Sequence, residues 1–268
     1  MKPPEPVVTN LELRESNPDG SQAAGLSHTA KGMFLLHVLE LAAEGPPRGL
    51  VAVLHDAGEH GGRYVGMART LAGAGWAVSL PDMRGHGESE GERFSLGQHE
   101  RKDVAAAVDL LVGRGFAPGR IVIVGESMGA AVAVQAVALR PDVAAVVADS
   151  AYADGRAIVA EAGPGETGLP DWYTGAIVLA AKVLFGLDAA AVDPAAVVRA
   201  DTQVPFLFIH CDGDALIDPR HARDLREASA NPNTRLWLAT GCGHVGASGR
   251  YPDEYRSRMI AFLDAQLR

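Results

Sequence analysis

The chain has 268 residues, of which 47% are hydrophobic and 21% charged, a composition typical of a folded globular protein and not of a disordered one. With 24 basic and 33 acidic residues the net charge is −9, which argues against nucleic acid and anionic membrane surfaces as partners. We also expect no stable membrane insertion, because no run reaches the roughly 20 apolar residues of a spanning helix.

The expected compartment follows from the cysteines and the first residues. There are 2 cysteines, Cys211 and Cys242, too few for a disulfide framework. The simplest expectation is that both are reduced and packed as small hydrophobic side chains, and the sequence leaves open whether they interact. The first residues contain no apolar stretch of a secretory signal, so a cytoplasmic protein is predicted, with a mature secreted chain as the alternative.

Strand and helix patterns alternate along most of the chain. Residues 10–14 and 34–41 alternate in polarity and predict two antiparallel edge strands. Continuous apolar runs then predict strands buried on both faces over 50–54, 76–80, 121–124, 143–148, 206–210 and 236–239. Helical spacing predicts helices over 64–74, 96–112, 128–139 and 254–267. This order predicts a mostly parallel sheet of about eight strands with helices on both faces.

Residues 151–201 interrupt the alternation. They contain several glycines and prolines, followed by an apolar helix over 174–185. A connection of this length between two strands is too long for a simple crossover. We therefore predict one domain over residues 1–268 with an inserted helical cap over 151–201.

The most informative segment joins a predicted strand directly to a helix of small residues through Gly125-Glu-Ser-Met-Gly129. Glycines at both flanks let strand and helix approach closely. The sharp turn raises the Ser127 hydroxyl above the carboxyl edge of the sheet, at a helix N-terminus that favours developing negative charge. This context predicts that Ser127 is a nucleophile; a purely structural turn is the alternative.

Three segments carry a family resemblance: residues 55–64 (HDAGEHGGRY), residues 82–89 (DMRGHGES) and the serine turn. Together they resemble α/β-hydrolase fold serine hydrolases, and among them the monoglyceride lipase and serine aminopeptidase-like branch. The resemblance covers residues 33–150 and 203–268 and is poor over the cap. It implies an α/β-hydrolase fold and a Ser–His–Asp triad, with no metal and no cofactor.

The acid and the base follow the nucleophile in that chain order in this fold. By resemblance, His244 in the glycine-rich loop after the last strand is the base. Asp214, in a loop that matches the family's HGxxDxxV pattern except for Cys211 in place of glycine, is the acid that orients it. We expect His221 to lie at the surface. The alternatives for the acid are Asp149, Asp212 and Asp218.

The resemblance also implies an oxyanion hole made by the backbone N–H groups of Ala57 and Met128. Asp56 stands where the family usually has glycine, and it brings a carboxylate near a site that develops negative charge. Of two interpretations, we favour the one in which the Asp56 side chain turns outward and bonds its own backbone, as aspartate does in turns.

These residues predict a cofactor-independent serine hydrolase that cleaves small-molecule carboxylic esters. The alternatives are an amidase or aminopeptidase with the same triad, and a catalytically silent binding protein of the same fold. Since the cap should roof the site, its apolar helix is expected to face the body and line an acyl tunnel, giving a preference for short-to-medium acyl chains. The residues expected to contact substrate there are Trp172, Ile177, Leu179 and Leu184; the alternative is that this helix only closes the core.

Overall fold

The computed structural model describes residues 7–14, 33–91, 93–168 and 170–267. Within them the strands are β1 (Val7–Arg14), β2 (Met33–Leu41), β3 (Leu50–Leu54), β4 (Ala77–Pro81), β5 (Ile121–Glu126), β6 (Ala145–Asp149), β7 (Phe206–Cys211) and β8 (Arg235–Ala239). The α-helices are α1 (Val65–Gly73), α2 (Glu100–Gly113), α3 (Met128–Ala136), α4 (Gly155–Thr167), α5 (Thr174–Phe185), α6 (Pro194–Ala200), α7 (Arg220–Ala228), α8 (Ala247–Arg250) and α9 (Pro252–Gln266).

The strands form one sheet of 8 strands in the order β1-β2-β4-β3-β5-β6-β7-β8. The first two strands pair antiparallel with each other, and β2 pairs antiparallel with β4. The remaining pairs are parallel, with β5 between β3 and β6. This confirms the predicted mostly parallel sheet with an antiparallel edge. Because parallel strands end at one edge, the loops after β5, β7 and β8 meet there.

Two hydrophobic cores lie on opposite faces of the sheet, and β3 shows how the sequence supplies both. Leu50, Ala52 and Leu54 point into the core under α2 and α3, whereas Val51 and Val53 point into the core under α1 and α9. Successive strand residues face opposite sides. A strand covered by helices on both sides is therefore apolar at every position, as the sequence pattern indicated.

Three local expectations are wrong. Helix α2 starts at Glu100 and not at residue 96, because the buried Glu100 carboxylate accepts hydrogen bonds from the Ser95 and Gly97 N–H groups and holds a turn there. His221 is buried on α7 and not at the surface. Helix α3 ends at Ala136 and not at residue 139, because residues 137–139 form a turn.

The inserted segment lies between β6 and β7 and contains α4, α5 and α6. Within the described residues, no single helix has the length and apolar character of a membrane span, although α5 and the segment Ala189–Ala200 reach that threshold jointly as a pair bent by 87°.

Candidate active site

Ser127 lies at the junction of β5 and α3 with a backbone φ of 52°, in the region that only glycine adopts easily. A side chain at Gly125 would collide with the backbone of Gly129, and one at Gly129 would collide with the Leu54 carbonyl. Both glycines are therefore needed for the close approach of helix to strand. The turn leaves the buried serine at the carboxyl edge of the sheet.

The structure brings Ser127, His244 and Asp214 into one hydrogen-bonded chain. His244 Nε2 lies 2.8 Å from Ser127 Oγ, and His244 Nδ1 lies 2.8 Å from Asp214 Oδ2. An ionised carboxylate only accepts hydrogen bonds, so Nδ1 carries the proton and Nε2 is free to accept one from the serine. This arrangement can deprotonate the serine hydroxyl as it attacks.

The Asp214 carboxylate receives more hydrogen bonds than the triad alone requires. Its Oδ1 accepts the N–H groups of Leu216 and Ile217, each at 3.0 Å, and its Oδ2 lies 3.1 Å from Nε2 of the buried His210. Burial by itself would raise the pKa of Asp214, but the hydrogen bonds from His210 and His244 hold this pKa well below its usual range. The carboxylate therefore stays ionised. No role for His210 was predicted from the sequence.

The charge of Asp214 acts in turn on the base. Burial would lower the pKa of His244, but the hydrogen bond to Asp214 and the charge of that carboxylate raise it. The base loop is held from the other side by Ser150, whose hydroxyl accepts the Val245 N–H at 3.2 Å and donates to Asp149 at 3.0 Å. Ser150 was also missed; its place directly after the Asp149 strand end was the available signal.

Cys211 and Cys242 form a disulfide, so the expectation of two reduced cysteines is wrong. Cys211 ends β7 before the acid loop, and Cys242 precedes the base, so the bond ties the two loops together. The Gly213 N–H also donates to the Cys242 carbonyl at 3.2 Å. A disulfide persists in oxidising compartments and is rare in the cytosol. The cytoplasmic location stays a prediction.

The competing aspartates have other partners. Asp212 accepts the Gly241 N–H at 2.8 Å, a further link between the acid and base loops, and Asp218 accepts the Arg220 N–H at 2.8 Å at the start of α7. The buried Asp149 bonds Ser150, and His244 Nδ1 bonds Asp214. Of the four candidates for the acid, the structure places Asp214 against the histidine.

Two buried acidic groups lie behind the serine. Burial, together with the nearby Asp149 charge, raises the pKa of Glu126 to about 8. Burial raises the pKa of Asp149 to about 6. The Tyr64 hydroxyl forms a hydrogen bond with Glu126, and burial and this acidic neighbour raise the pKa of Tyr64. At neutral pH Glu126 is therefore mainly protonated, although it occupies the variable position of the serine motif.

The two expected oxyanion donors differ in their surroundings. Met128 is the first residue of α3, and its N–H has no acceptor within the helix. The Ala57 N–H donates to Oδ1 of Asp56 at 2.6 Å. The Asp56 N–H donates to the Tyr64 hydroxyl at 3.2 Å. Asp56 thus bonds its own backbone, as favoured, but it does so at the N–H group that was expected to bind the oxyanion.

A cavity of about 590 Å³ opens beside the histidine of the triad. Its lining combines charged and polar groups from the loop after β3, from α1, from the serine turn and from α9. Among the residues that line it are Asp56, Glu59, Arg63, Tyr64, Glu126 and His244. The cavity borders the triad at His244 and at Glu126, the residue before the serine, whereas Ser127 itself is not among its lining residues.

The cap residues expected to bind substrate do not line this cavity. Trp172, Leu179 and Leu184 are 75%, 61% and 68% exposed, and Ile177 is half-buried. Helix α5 has no buried residue, against the expectation that one side faces the body. A substrate-binding role for these four residues stays a prediction.

Buried apolar side chains and polar contacts both attach the cap, and Ile158 and Val192 of the cap pack with Ala131 of the body. Glu161 on α4 pairs with Arg220 and with His221 on α7. After α5, the Gln98 side chain donates to the Gly186 carbonyl at 2.9 Å and accepts the Asp188 N–H at 2.7 Å.

Within the residues described, no group of three or more histidine, cysteine, aspartate or glutamate side chains is arranged to hold a metal ion.

Comparison with known sequences places these features in a family context. A family model described as serine aminopeptidase, S33 (Hydrolase_4) matches residues 45–184, which is more than half of the chain. Human monoglyceride lipase is 39% identical over 99 residues, and this match covers 36% of the chain and 32% of the lipase. The chain therefore matches about a third of the length of that relative.

Solved structures share the fold over nearly the whole chain. An esterase of Pyrococcus furiosus, Pf2001, superposes with a TM-score of 0.68 at 22% identity, covering 97% of this chain and 94% of its own. A monoacylglycerol lipase of Paleococcus ferrophilus gives a TM-score of 0.65 at 20% identity, covering 86% and 99% respectively. At these identities the likeness shows the α/β-hydrolase fold.

Proposed function

Because the chain belongs to the Hydrolase_4 (serine aminopeptidase, S33) family of α/β-hydrolases, we propose that it is a serine hydrolase of small-molecule carboxylic esters. Its sequence and structural neighbours include esterases and monoglyceride lipases. The observation that carries the proposal is the unbroken hydrogen-bonded chain from Ser127 through His244 to Asp214, with 2.8 Å at both steps.

In the proposed reaction, the Ser127 oxygen attacks the ester carbonyl while His244 Nε2 takes the hydroxyl proton. The ionised Asp214 stabilises the imidazolium that forms. The N–H groups of Met128 and Ala57 donate hydrogen bonds to the tetrahedral oxyanion and stabilise its charge. His244 then returns the proton to the leaving alcohol, and a water molecule, deprotonated by the same histidine, hydrolyses the acyl-enzyme.

The cavity beside His244 is proposed to hold the alcohol part of the ester. His244 delivers the proton to the leaving oxygen, so the leaving group must lie next to this residue. The polar lining, with Glu59, Arg63 and Tyr64, suits an alcohol that carries further polar groups. The similarity to monoglyceride lipases, whose name describes esters of a polyol, supports the same class of substrate.

Amide hydrolysis is the second candidate, and the family description as serine aminopeptidase favours it. The same triad can cleave an amide, since His244 would protonate a leaving amine in place of an alcohol. Matched ester and anilide substrates separate the two activities.

A panel of p-nitrophenyl esters and p-nitroanilides with the same acyl groups tests the proposal, together with labelling by a fluorophosphonate probe. We expect ester hydrolysis and labelling of the wild-type chain, with loss of both in Ser127→Ala. Faster anilide cleavage would favour the amidase. If no ester gives a burst and the serine is not labelled, the chain is a silent binding protein of this fold.

A further inference from the structure

We propose that the Asp56 carboxylate competes with the substrate oxyanion for the Ala57 N–H, and that it thereby selects esters with a cationic group on the alcohol. The inference rests on the proposed function, since it assigns Ala57 to the oxyanion hole. It makes Asp56 a specificity-determining residue at the centre of the site.

The competition follows from one hydrogen bond. The Ala57 N–H points to Asp56 Oδ1 at a distance of 2.6 Å, a short separation typical of a strong, charge-assisted hydrogen bond. In the proposed reaction the same N–H must meet the tetrahedral oxyanion. A single N–H cannot align with two anionic oxygens, so Asp56 must move away before Ala57 can contribute.

The position of the carboxylate adds a second effect. Asp56 lines the same cavity as His244, and its negative charge is one of the influences that raise the pKa of His244. The Asp56 charge therefore acts on the reacting groups themselves. A negative charge beside a developing oxyanion raises the energy of the transition state, and it does so more strongly in a partly buried site than in water.

The other charges of the cavity are already balanced. Arg63 lies 3.3 Å from Glu59, and Arg256 lies 2.6 Å from Asp253. Glu126 is mainly protonated at neutral pH because burial raises its pKa to about 8. Asp56 is the remaining carboxylate of this lining, and within the described residues no arginine or lysine side chain forms a salt bridge with it.

A cation on the substrate can supply that missing partner. The leaving alcohol lies beside His244, and the cavity there is bordered by Asp56. An ammonium group on the alcohol would pair with the carboxylate, offset its charge and draw it away from the Ala57 N–H. A neutral alcohol has no such means to release the donor.

Asp56 can be replaced without straining the backbone. The non-glycine residues with positive φ in the described chain do not include Asp56, so alanine or asparagine can adopt its conformation. Asp56→Ala removes both the acceptor and the charge. Asp56→Asn keeps the shape and a carbonyl acceptor and removes the charge alone.

The first measurement is kcat for p-nitrophenyl butyrate. Restoring a blocked oxyanion donor should raise kcat by at least about tenfold in Asp56→Ala, given that loss of such a donor costs ~10²–10³. The kcat of Asp56→Asn should lie between that of Asp56→Ala and that of the wild type. Asp224→Asn, which removes a charge from an exposed position of α7, is the matched control. A kcat in Asp56→Ala equal to or below that of the wild type overturns the proposal.

The second measurement compares butyrylcholine with 3,3-dimethylbutyl butyrate, its uncharged isostere. We expect the wild type to prefer the cationic ester by about tenfold in kcat/KM, as the attraction between partly buried opposite charges predicts, and Asp56→Asn to lose this preference. Equal rates in the wild type, or an unchanged ratio in Asp56→Asn, overturn the proposal.

Failure of this inference and failure of the proposed function give different results. Suppose Ser127 is labelled by the fluorophosphonate and the esters are cleaved, but Asp56→Ala has the kcat of the wild type and the wild type does not prefer the cationic ester. Asp56 then has no selective role and the hydrolase assignment stands. If none of the variants is labelled or cleaves any ester, both are overturned.

Discussion

The loops that carry the triad and the apolar helix of the inserted segment are held in opposite ways. The acid and base loops are joined by a disulfide, by backbone hydrogen bonds and by the His244–Asp214 contact. Helix α5 is the more apolar of the two regions, yet none of its residues is buried. The inserted segment around it is attached elsewhere, through polar contacts of Glu161 and Gln98 and through the buried side chain of Ile158.

This difference shows that hydrophobic composition does not by itself tell where a segment packs. A catalytic loop needs its side chains within a few tenths of an ångström of a productive geometry, so it is restrained from several sides. Helix α5 has fewer restraints, and large apolar side chains such as Leu179, Val183 and Leu184 stay exposed on it. Substitutions in the loops that carry the triad should therefore have larger effects than substitutions in helix α5.

The largest expected effect is on the acid of the restrained region. Asp214→Asn should lower kcat for p-nitrophenyl butyrate by about 10⁴-fold, because the amide stabilises the wrong tautomer of His244 and not the imidazolium. Asp149→Asn, which removes the alternative acid from the neighbouring strand, should lower kcat far less. The reverse ranking would move the acid to Asp149.

The disulfide should contribute to stability and not only to geometry. Its cysteines are 31 residues apart, and closing a loop of this size stabilises a fold by about 3–4 kcal/mol in the chain-entropy model. Thermal unfolding followed by circular dichroism should show a Tm lower by roughly 10 °C in the double variant Cys211→Ser, Cys242→Ser.

The contrast predicts a different result for the inserted helix. Leu179→Ser changes an exposed position, so the unfolding free energy of this variant should stay within about 0.5 kcal/mol of the wild type.

The disulfide has its own test. Two titratable thiols in the unreduced wild type, or an unchanged Tm in the double serine variant, would contradict it.

The pH dependence of kcat/KM should report the base. Only neutral His244 can accept the serine proton, so activity should rise with pH as this imidazole loses its own proton. Because Asp214 raises the pKa of His244, the midpoint should lie above the ordinary value of about 6.5. In Asp214→Asn the residual activity should have its midpoint about one pH unit lower. A midpoint that does not move would show that the carboxylate does not tune the base.

The smallest expected effect is on the inserted helix. Leu179 and Leu184 are exposed and lie outside the cavity lining, so Leu179→Trp and Leu184→Trp should change kcat/KM by less than about threefold from acetyl to decanoyl esters. A shift of the preferred chain length in both variants would show that α5 closes over the site during turnover. That result would restore the expected role of the cap in acyl selection.

The sequence by itself determined the architecture and the identity of the candidate triad residues. The apolar runs over 50–54 in β3 and 121–124 in β5 contain no polar residue, because a strand between two helical layers has no side that faces solvent. The glycines around Ser127 indicate a turn that larger residues would block, a requirement that lies within five consecutive positions. Chain order then limits where the acid and base can follow. Such features are local, so they can be read without knowing which distant segments meet.

The tertiary structure alone decided what depends on distant contacts. The cysteine pair and the contact of Ser150 with Val245 join residues that are 31 and 95 positions apart, which a single sequence does not connect. The exposure of α5 was also undecided, because an apolar helix has the same pattern whether it is covered or open. The hydrogen bond from Ala57 to Asp56 depends on a side-chain rotamer and not on periodicity. Packing selects among conformations that the local sequence leaves equal in energy, and in this protein it decides which loops meet around Ser127.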